Sequence, residues 1–259
     1  MKKVMGIDIS SRSTGWSIIQ NDKLIEYGKV NPTGKMTVSQ KLFLFHVELK
    51  KIIERHKPDE IAIEDVPLVK SVSVAKLLAR FNGVAMIEAY RHLQRDPVLF
   101  EPSKWKTYVE GCTGGSKKCE VQLAICKIFR LLDDKKIEYY QGRIEEAKSE
   151  AQEGSCEARD EVRSIKKQLK KAKKVADDSL ISELETKLKL ASELAVKCKK
   201  SKKKDMSEAF DQISMDIYTE TSINEDIADA IGTAIALQKE IRNNYANYII
   251  LLKPEAHAL

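Results

Sequence analysis

At 259 residues, 42% hydrophobic and 32% charged, the chain is long enough for one substantial core plus an appendage and too apolar to be disordered. Its 45 Lys and Arg against 39 Asp and Glu leave a formal charge of +6, but the basic residues are unevenly spread, and for nucleic-acid binding the distribution matters more than the total. No apolar stretch approaches the roughly 20 residues of a membrane span. The Met1-Lys2-Lys3 start runs straight into a strand pattern and is too short for a secretion signal. Cys112, Cys119, Cys126, Cys156 and Cys198 form no CxxC pair and have no His at zinc-finger spacing. These features predict a cytoplasmic protein with no membrane association and reduced, structural cysteines.

Residues 2–9 read as a first apolar strand, 14–20 as a second and, after the Asn21-Asp22 turn, 23–30 as a third, together a meander. Leu42, Phe45, Leu49, Ile52 and Ile53 recur at helical spacing over 36–56, and Pro58 closes that helix. Residues 60–66 form a short, continuously apolar run, the pattern of a strand buried on both faces. A helix over 70–94, a fifth strand at 97–100 and helical pieces at 103–110 and 117–131 follow. A mixed sheet flanked by helices, class α/β, is the expected architecture.

From about residue 133 the character changes. Residues 138–205 are rich in Glu and Lys and contain no proline. Ala158, Val162, Ile165, Leu169, Ala172 and Ala176 form one heptad series; Leu184, Leu188, Ala191, Ala195 and Cys198 form a second. Asp177-Asp178-Ser179 between them suits a helix N-cap, and Gly154-Ser155 is expected to break the entering helix. The pattern predicts an antiparallel helical hairpin, with Leu169 near Leu188, Val162 near Ala195 and Cys156 level with Cys198. Residues 133–205 are thus expected as an insertion in a discontinuous core of 1–132 and 206–259, because the apolar helix over 225–241 resumes the core pattern.

Four carboxylates carry the chemistry. Asp8 ends Val4-Met5-Gly6-Ile7-Asp8, Glu64 ends Glu60-Ile61-Ala62-Ile63-Glu64, and Asp226 and Asp229 lie one turn apart on the last core helix. An acid in a buried apolar strand is costly unless its charge is compensated. Any one of these acids alone reads most simply as a cap or a surface charge. Together they suggest a pocket for hard divalent cations, Mg²⁺ or Mn²⁺, two of which can activate water against a phosphodiester.

Gly6-Ile7-Asp8, Ser11-Arg12-Ser13-Thr14-Gly15-Trp16, Ile61-Ala62-Ile63-Glu64-Asp65-Val66 and Asp226-Ile227-Ala228-Asp229-Ala230 resemble, in this order, the motifs of RuvC-type Holliday junction resolvases. The resemblance covers about residues 1–132 and 222–242. It implies an RNase H-like fold, a homodimer, and a metal-dependent endonuclease acting on branched DNA with two ions held by Asp8, Glu64, Asp226 and Asp229. Lys106 and Lys118 fall where the family places DNA-contacting or active-site lysines. Lys104 and Lys117 lie beside them, and Gly114-Gly115-Ser116 can offer backbone N–H groups to a phosphate. The chain departs from the pattern in Ile9-Ser10, where Pro-Gly is usual. It departs again in Pro67-Leu68-Val69, where resolvases often carry an aromatic wedge; Leu68 leaves an apolar wedge only. The inserted hairpin, with its lysine runs, also lies outside the pattern and is expected to meet a DNA arm, a partner or the second subunit. Paired hydrolysis of four-way junctions is the leading expectation. A broader nuclease on flaps, forks or RNA–DNA hybrids and a non-catalytic branched-DNA-binding module are the alternatives.

Overall fold

The structure, a computed structural model, describes residues 2–10, 12–32, 34–66, 71–175 and 178–251, with side chains at 152–159, 171–181 and 245–251 excepted. Five strands, β1 (Val4–Asp8), β2 (Thr14–Gln20), β3 (Lys23–Val30), β4 (Glu60–Glu64) and β5 (Val98–Phe100), form one sheet in the order β3-β2-β1-β4-β5. β1–β2 and β2–β3 pair antiparallel, β1–β4 and β4–β5 parallel. This is the mixed sheet expected of an RNase H-like α/β fold.

Side-chain alternation along β1 and β4 divides the core. Met5, Ile7, Ile61 and Ile63 point to one face, where they meet Phe45 and Leu49 of α1 (Val38–His56) and Phe81 and Ala85 of α2 (Val72–Leu93). Val4 and Ala62 point to the other, against α3 (Pro102–Lys106), α4 (Lys118–Ile128) and α7 (Glu225–Leu251). On that second face two glycines set the distance of α7. A Cβ on Gly6 would lie 2.0 Å from the Ala230 carbonyl oxygen, and one on Gly15 would lie 2.0 Å from that of Asp226. The helix therefore rests directly on β1 and β2. Ser17, fully buried, anchors it by donating to the Ala230 carbonyl at 3.0 Å.

One compact unit joins the residues up to Asp134 with those from Ile217 onward; the other is Lys135–Asp216. Two long helices dominate the second unit, α5 (Asp134–Val175) and α6 (Asp178–Thr221). The expected break at Gly154-Ser155 is not there: α5 runs through unbroken. A single glycine costs a helix only about 1 kcal/mol against alanine, and the Glu, Ala and Lys residues around it outweigh that. The second arm also continues past 205, since nothing between Asp178 and Thr221 is Gly or Pro. Of the predicted series, Leu184 and Ala191 are buried and Val162, Ile165, Leu169, Leu188, Ala195 and Cys198 half-buried, while Ile137, Tyr140, Ile144 and Ala147, N-terminal to that series on α5, are buried as well. The expected proximity of Cys156 to Cys198 and the cap at Asp177 lie outside the described residues. No described helix is long and apolar enough to cross a membrane.

Candidate active site

Parallel pairing of β1 with β4 fixes the first two acids. Ile7 is paired with Ile63, so Asp8 and Glu64 sit one step further at the C-terminal ends of adjacent strands, on the face that carries Gly6 and Ala62. The third and fourth come from the helix held against that face. Asn224 caps α7 by accepting from the Ile227 N–H at 3.0 Å and turns its amide to Asp226 Oδ2 at 3.0 Å. Asp229, one turn on, stands beside the Ala230 carbonyl that lies over Gly6.

Electrostatics ties the four together. Burial pushes the Asp8 carboxyl well above the ordinary carboxylate range, and the charges of Glu64, Asp229 and Asp226 push it further. Burial raises Glu64 to about 7, against a hydrogen bond from Trp105 and the charge of Lys106. Asp229 rises to about 8 through burial and the Glu64 charge, with Lys106 and Lys118 pulling the other way. Burial raises Asp226 as well, with hydrogen bonding from the Ser13 hydroxyl and from Asn224 pulling the other way.

Four carboxylates near enough to act on one another's protonation, with too little positive charge to neutralise them, are what a divalent-cation site offers. Among the described residues no three of these side chains already close on one point at ligand distance. Their oxygens are held aside: Trp105 Nε1 donates to Glu64 Oε2 at 2.7 Å and Asn224 to Asp226. Rotation of the carboxylates onto a cation would complete the set. The residues present fit the group.

Two of the expected lysines belong to this neighbourhood. Lys106 Nζ lies 5.5 Å over the Trp105 ring, donates to the Ser116 carbonyl at 3.3 Å, and acts on Glu64 and Asp229. Lys118 opens α4 and pairs with Glu225. Burial works against the Lys118 charge, but the Glu225 bond and the fields of Asp229 and Asp226 more than offset it and raise its pKa. The others stand apart. Lys104 turns to Glu240 at 3.4 Å and lies over the Phe100 ring. Lys117 is exposed at the cap of α4. Ser116 spends its N–H on the Thr113 carbonyl at 3.0 Å and accepts the Thr113 N–H on its Oγ at 2.8 Å, so its donor is already engaged. Leu68 lies outside the described residues.

Sequence reading missed Trp105 and Asn224. Trp105 is fully buried in a slot that Gly232 opens: a Cβ there would lie 2.3 Å from the ring. A tryptophan in a polar five-residue helix looks like core filling, and only the tertiary fold shows its N–H on a strand-end acid. Asn224 carried a weak local signal, an Asn just before an acidic first turn.

A family model described as crossover junction endodeoxyribonuclease RuvC matches residues 4–139. That range takes in Asp8, Glu64, Lys106 and Lys118, whereas Asp226 and Asp229 lie beyond it, behind the α5–α6 hairpin. A RuvC of Koribacter versatilis is 31% identical over 134 residues, 50% of this chain and 80% of the relative. One of Magnetococcus marinus is 34% identical over 89 residues, 33% of this chain and 49% of the relative. The solved Thermus thermophilus RuvC in complex with Holliday junction substrate superposes with a TM-score of 0.46 at 20% identity, over 51% of this chain and 82% of that one. With the matched segment spanning more than half of its length, the chain belongs to the RuvC family of crossover junction endodeoxyribonucleases.

Proposed function

We propose that this chain resolves four-way DNA junctions by paired phosphodiester hydrolysis as a homodimer, with two Mg²⁺ or Mn²⁺ ions held by Asp8, Glu64, Asp226 and Asp229. The observation that carries this reading is the convergence of four acids from β1, β4 and α7 in one buried, charge-poor neighbourhood. The cations, once bound, supply water activation and neutralisation of charge on the phosphate. The chain's own residues do the rest. Trp105 fixes one oxygen of Glu64 and leaves the other free to act as a ligand. Asn224 aims Asp226 in the same way. Lys106, held between the Trp105 ring and the Ser116 carbonyl, is a fixed cation on the rim of the site that can meet a non-bridging phosphate oxygen. Lys118 is half engaged by Glu225 and can turn from it to the backbone of the incoming strand. Lys104, Lys117, Ser116 and Leu68 are assigned peripheral contacts along the path of the DNA.

Paired cuts need two sites. The outer face of α2 supports a second copy as partner: Val72, Ile87 and Tyr90 share one side of it and are 68%, 54% and 51% exposed. Exposed apolar rows of this kind mark association surfaces. The chain is expected to act in the cytoplasm, where its substrate is found.

The test is a panel of labelled substrates (four-way junction, linear duplex, flap, replication fork and RNA–DNA hybrid) with Mg²⁺ or Mn²⁺. Symmetric nicks on the junction alone are the expected result. Preference for flaps, forks or hybrids would establish a broader nuclease instead, and junction binding without any cut would leave a binding module.

A further inference from the structure

The α5–α6 hairpin has a sided and polarised charge pattern that its own packing does not use. Its seam is apolar on both arms, with Val162, Ile165 and Leu169 half-buried on α5 and Leu188 and Ala195 half-buried on α6. Turned away from that seam on α5 stand Arg163, Lys166, Lys167 and Lys170, all exposed, at steps of three, one and three. That spacing puts them on one face of a helix. On α6, Lys197, Lys200 and Lys204 repeat the arrangement at steps of three and four, also exposed. At a rise of about 1.5 Å per residue, successive charges in each row are about 5–6 Å apart and each row is about 10 Å long.

Neutralisation within the hairpin is slight. Arg163 meets Asp160 at 3.3 Å and Lys204 meets Glu208 at 3.5 Å, both exposed pairs on the same helix, which contribute little. Lys166, Lys167, Lys170, Lys197 and Lys200 make no ion pair among the described residues. The charge is also uneven along the sequence. Residues 162–204 hold fifteen Lys and Arg against five Asp and Glu, whereas 135–161 with 205–216 hold five against twelve. A helical pair made merely soluble would mix its signs along its length. Here the stretch that carries the two rows attracts polyanions and the stretches that flank it do not.

We propose that the two cationic rows, Arg163 to Lys170 on α5 and Lys197 to Lys204 on α6, form a second nucleic-acid-binding surface that lies along the phosphate backbone of a duplex arm. It rests on the branched-DNA reading above and adds a contact that the carboxylate site does not make. No base edge is read by such rows: lysines on phosphates give affinity and register, not sequence preference. The contact therefore lengthens the footprint on any arm that reaches the hairpin, irrespective of sequence.

The test uses the full chain carrying Asp229→Asn, so that DNA is bound and not cut. Two hairpin variants are compared with it, Lys166→Gln/Lys167→Gln/Lys170→Gln and Lys197→Gln/Lys200→Gln/Lys204→Gln, singly and combined. Affinity for a four-way junction is measured by fluorescence anisotropy across a salt series, with long arms and with arms cut short. The combined variant is expected to lose affinity for the long-armed junction. Its log–log salt slope should fall by about 0.9 for each phosphate contact removed, up to about 5 for six. On short arms the difference should vanish, and helicity and melting temperature should stay unchanged because all six side chains are exposed. Wild-type affinity and slope on long arms in the combined variant would overturn the proposal. Leu190 and Leu194, 57% and 61% exposed on α6, would then become the surface of interest, for a helical protein partner. A junction whose binding depends on these lysines but which the unsubstituted chain never cuts would keep the hairpin surface and overturn the nuclease reading instead.

Discussion

At the scale of single residues, the site is a balance between burial and charge. Glu64 and Asp229 hold their protons to about 7 and about 8 in the metal-free protein, because burial disfavours the carboxylate and, at Asp229, the Glu64 charge adds to it. Cation binding must displace those protons, so metal affinity and cleavage are both expected to climb with pH through this window. Calorimetric titration of Mn²⁺ in buffers of different ionisation heat should show net proton release at neutral pH; a buffer-independent heat would contradict it. The sign for stability is the reverse. Folded values above the unfolded ones mean that the folded state binds more protons between them, so the metal-free fold loses stability as pH rises from about 4.5 towards 8. Asp229→Asn removes one of the crowded charges and should raise the melting temperature of metal-free protein at pH 8 while abolishing cleavage. Trp105 belongs to the same scale. Trp105→Phe keeps the ring in the slot at Gly232 and deletes the N–H on Glu64, and a loss of about 10–100-fold in Mn²⁺ affinity is expected, as for other groups that orient a ligand. Unchanged Mn²⁺ affinity would reduce Trp105 to a core residue. Of these features the four acids were legible in the sequence only as a set, since each alone passes for a cap or a surface charge and only their combination asks for a cation. The indole bond was not, because a sequence separation of 41 between Trp105 and Glu64 hides it.

At the scale of elements, the site depends on how closely α7 lies on the sheet. Gly6 and Gly15 permit that approach, and both would put a new methyl group against main-chain oxygens of α7 rather than against yielding side chains. Gly6→Ala or Gly15→Ala should therefore destabilise the fold by about 3 kcal/mol or more in urea unfolding, at the upper end of overpacking costs. Any protein that survives should bind Mn²⁺ more weakly than its stability loss explains, since Asp226 and Asp229 are lifted from Asp8 and Glu64. Strand and helix order was readable from apolar runs and helical spacing, and β1 to β5 fall where those patterns put them. Boundaries that depend on propensity were not. Gly154 looked like a stop, but a lone glycine inside a long run of good helix formers is absorbed, and α6 passes beyond the heptad series because Phe210, Ile213 and Ile217 bury a further stretch of it.

At the scale of the whole molecule, one chain carries a nuclease core interrupted by a helical hairpin, with the last two acids arriving after the interruption. The family match ends at residue 139, before the hairpin is complete, and the core is closed only when α7 returns to β1. The identity of the family was legible because four separated motifs keep their order around an insertion of any length. A second copy was implied by the resemblance alone, and the outer face of the helix expected over 70–94 could not be assigned from sequence; the exposed side of α2 with Val72, Ile87 and Tyr90 is where we propose that it docks. Ile87→Glu with Tyr90→Glu should give a monomer by sedimentation that nicks junctions singly rather than in pairs. A dimer that persists would move the interface elsewhere.

Asp8, Glu64, Asp226 and Asp229 are proposed to act as one cation site for cutting junctions. Single-turnover cleavage of a four-way junction should be compared for the unsubstituted chain, Asp229→Asn and Lys50→Ala, a surface residue of α1 that pairs with Glu54, with Mn²⁺ binding measured on the same preparations. Loss of both cleavage and Mn²⁺ binding in Asp229→Asn, with Lys50→Ala cutting near normally, is the expected result. Cleavage that survives Asp229→Asn with Mn²⁺ binding intact would contradict it.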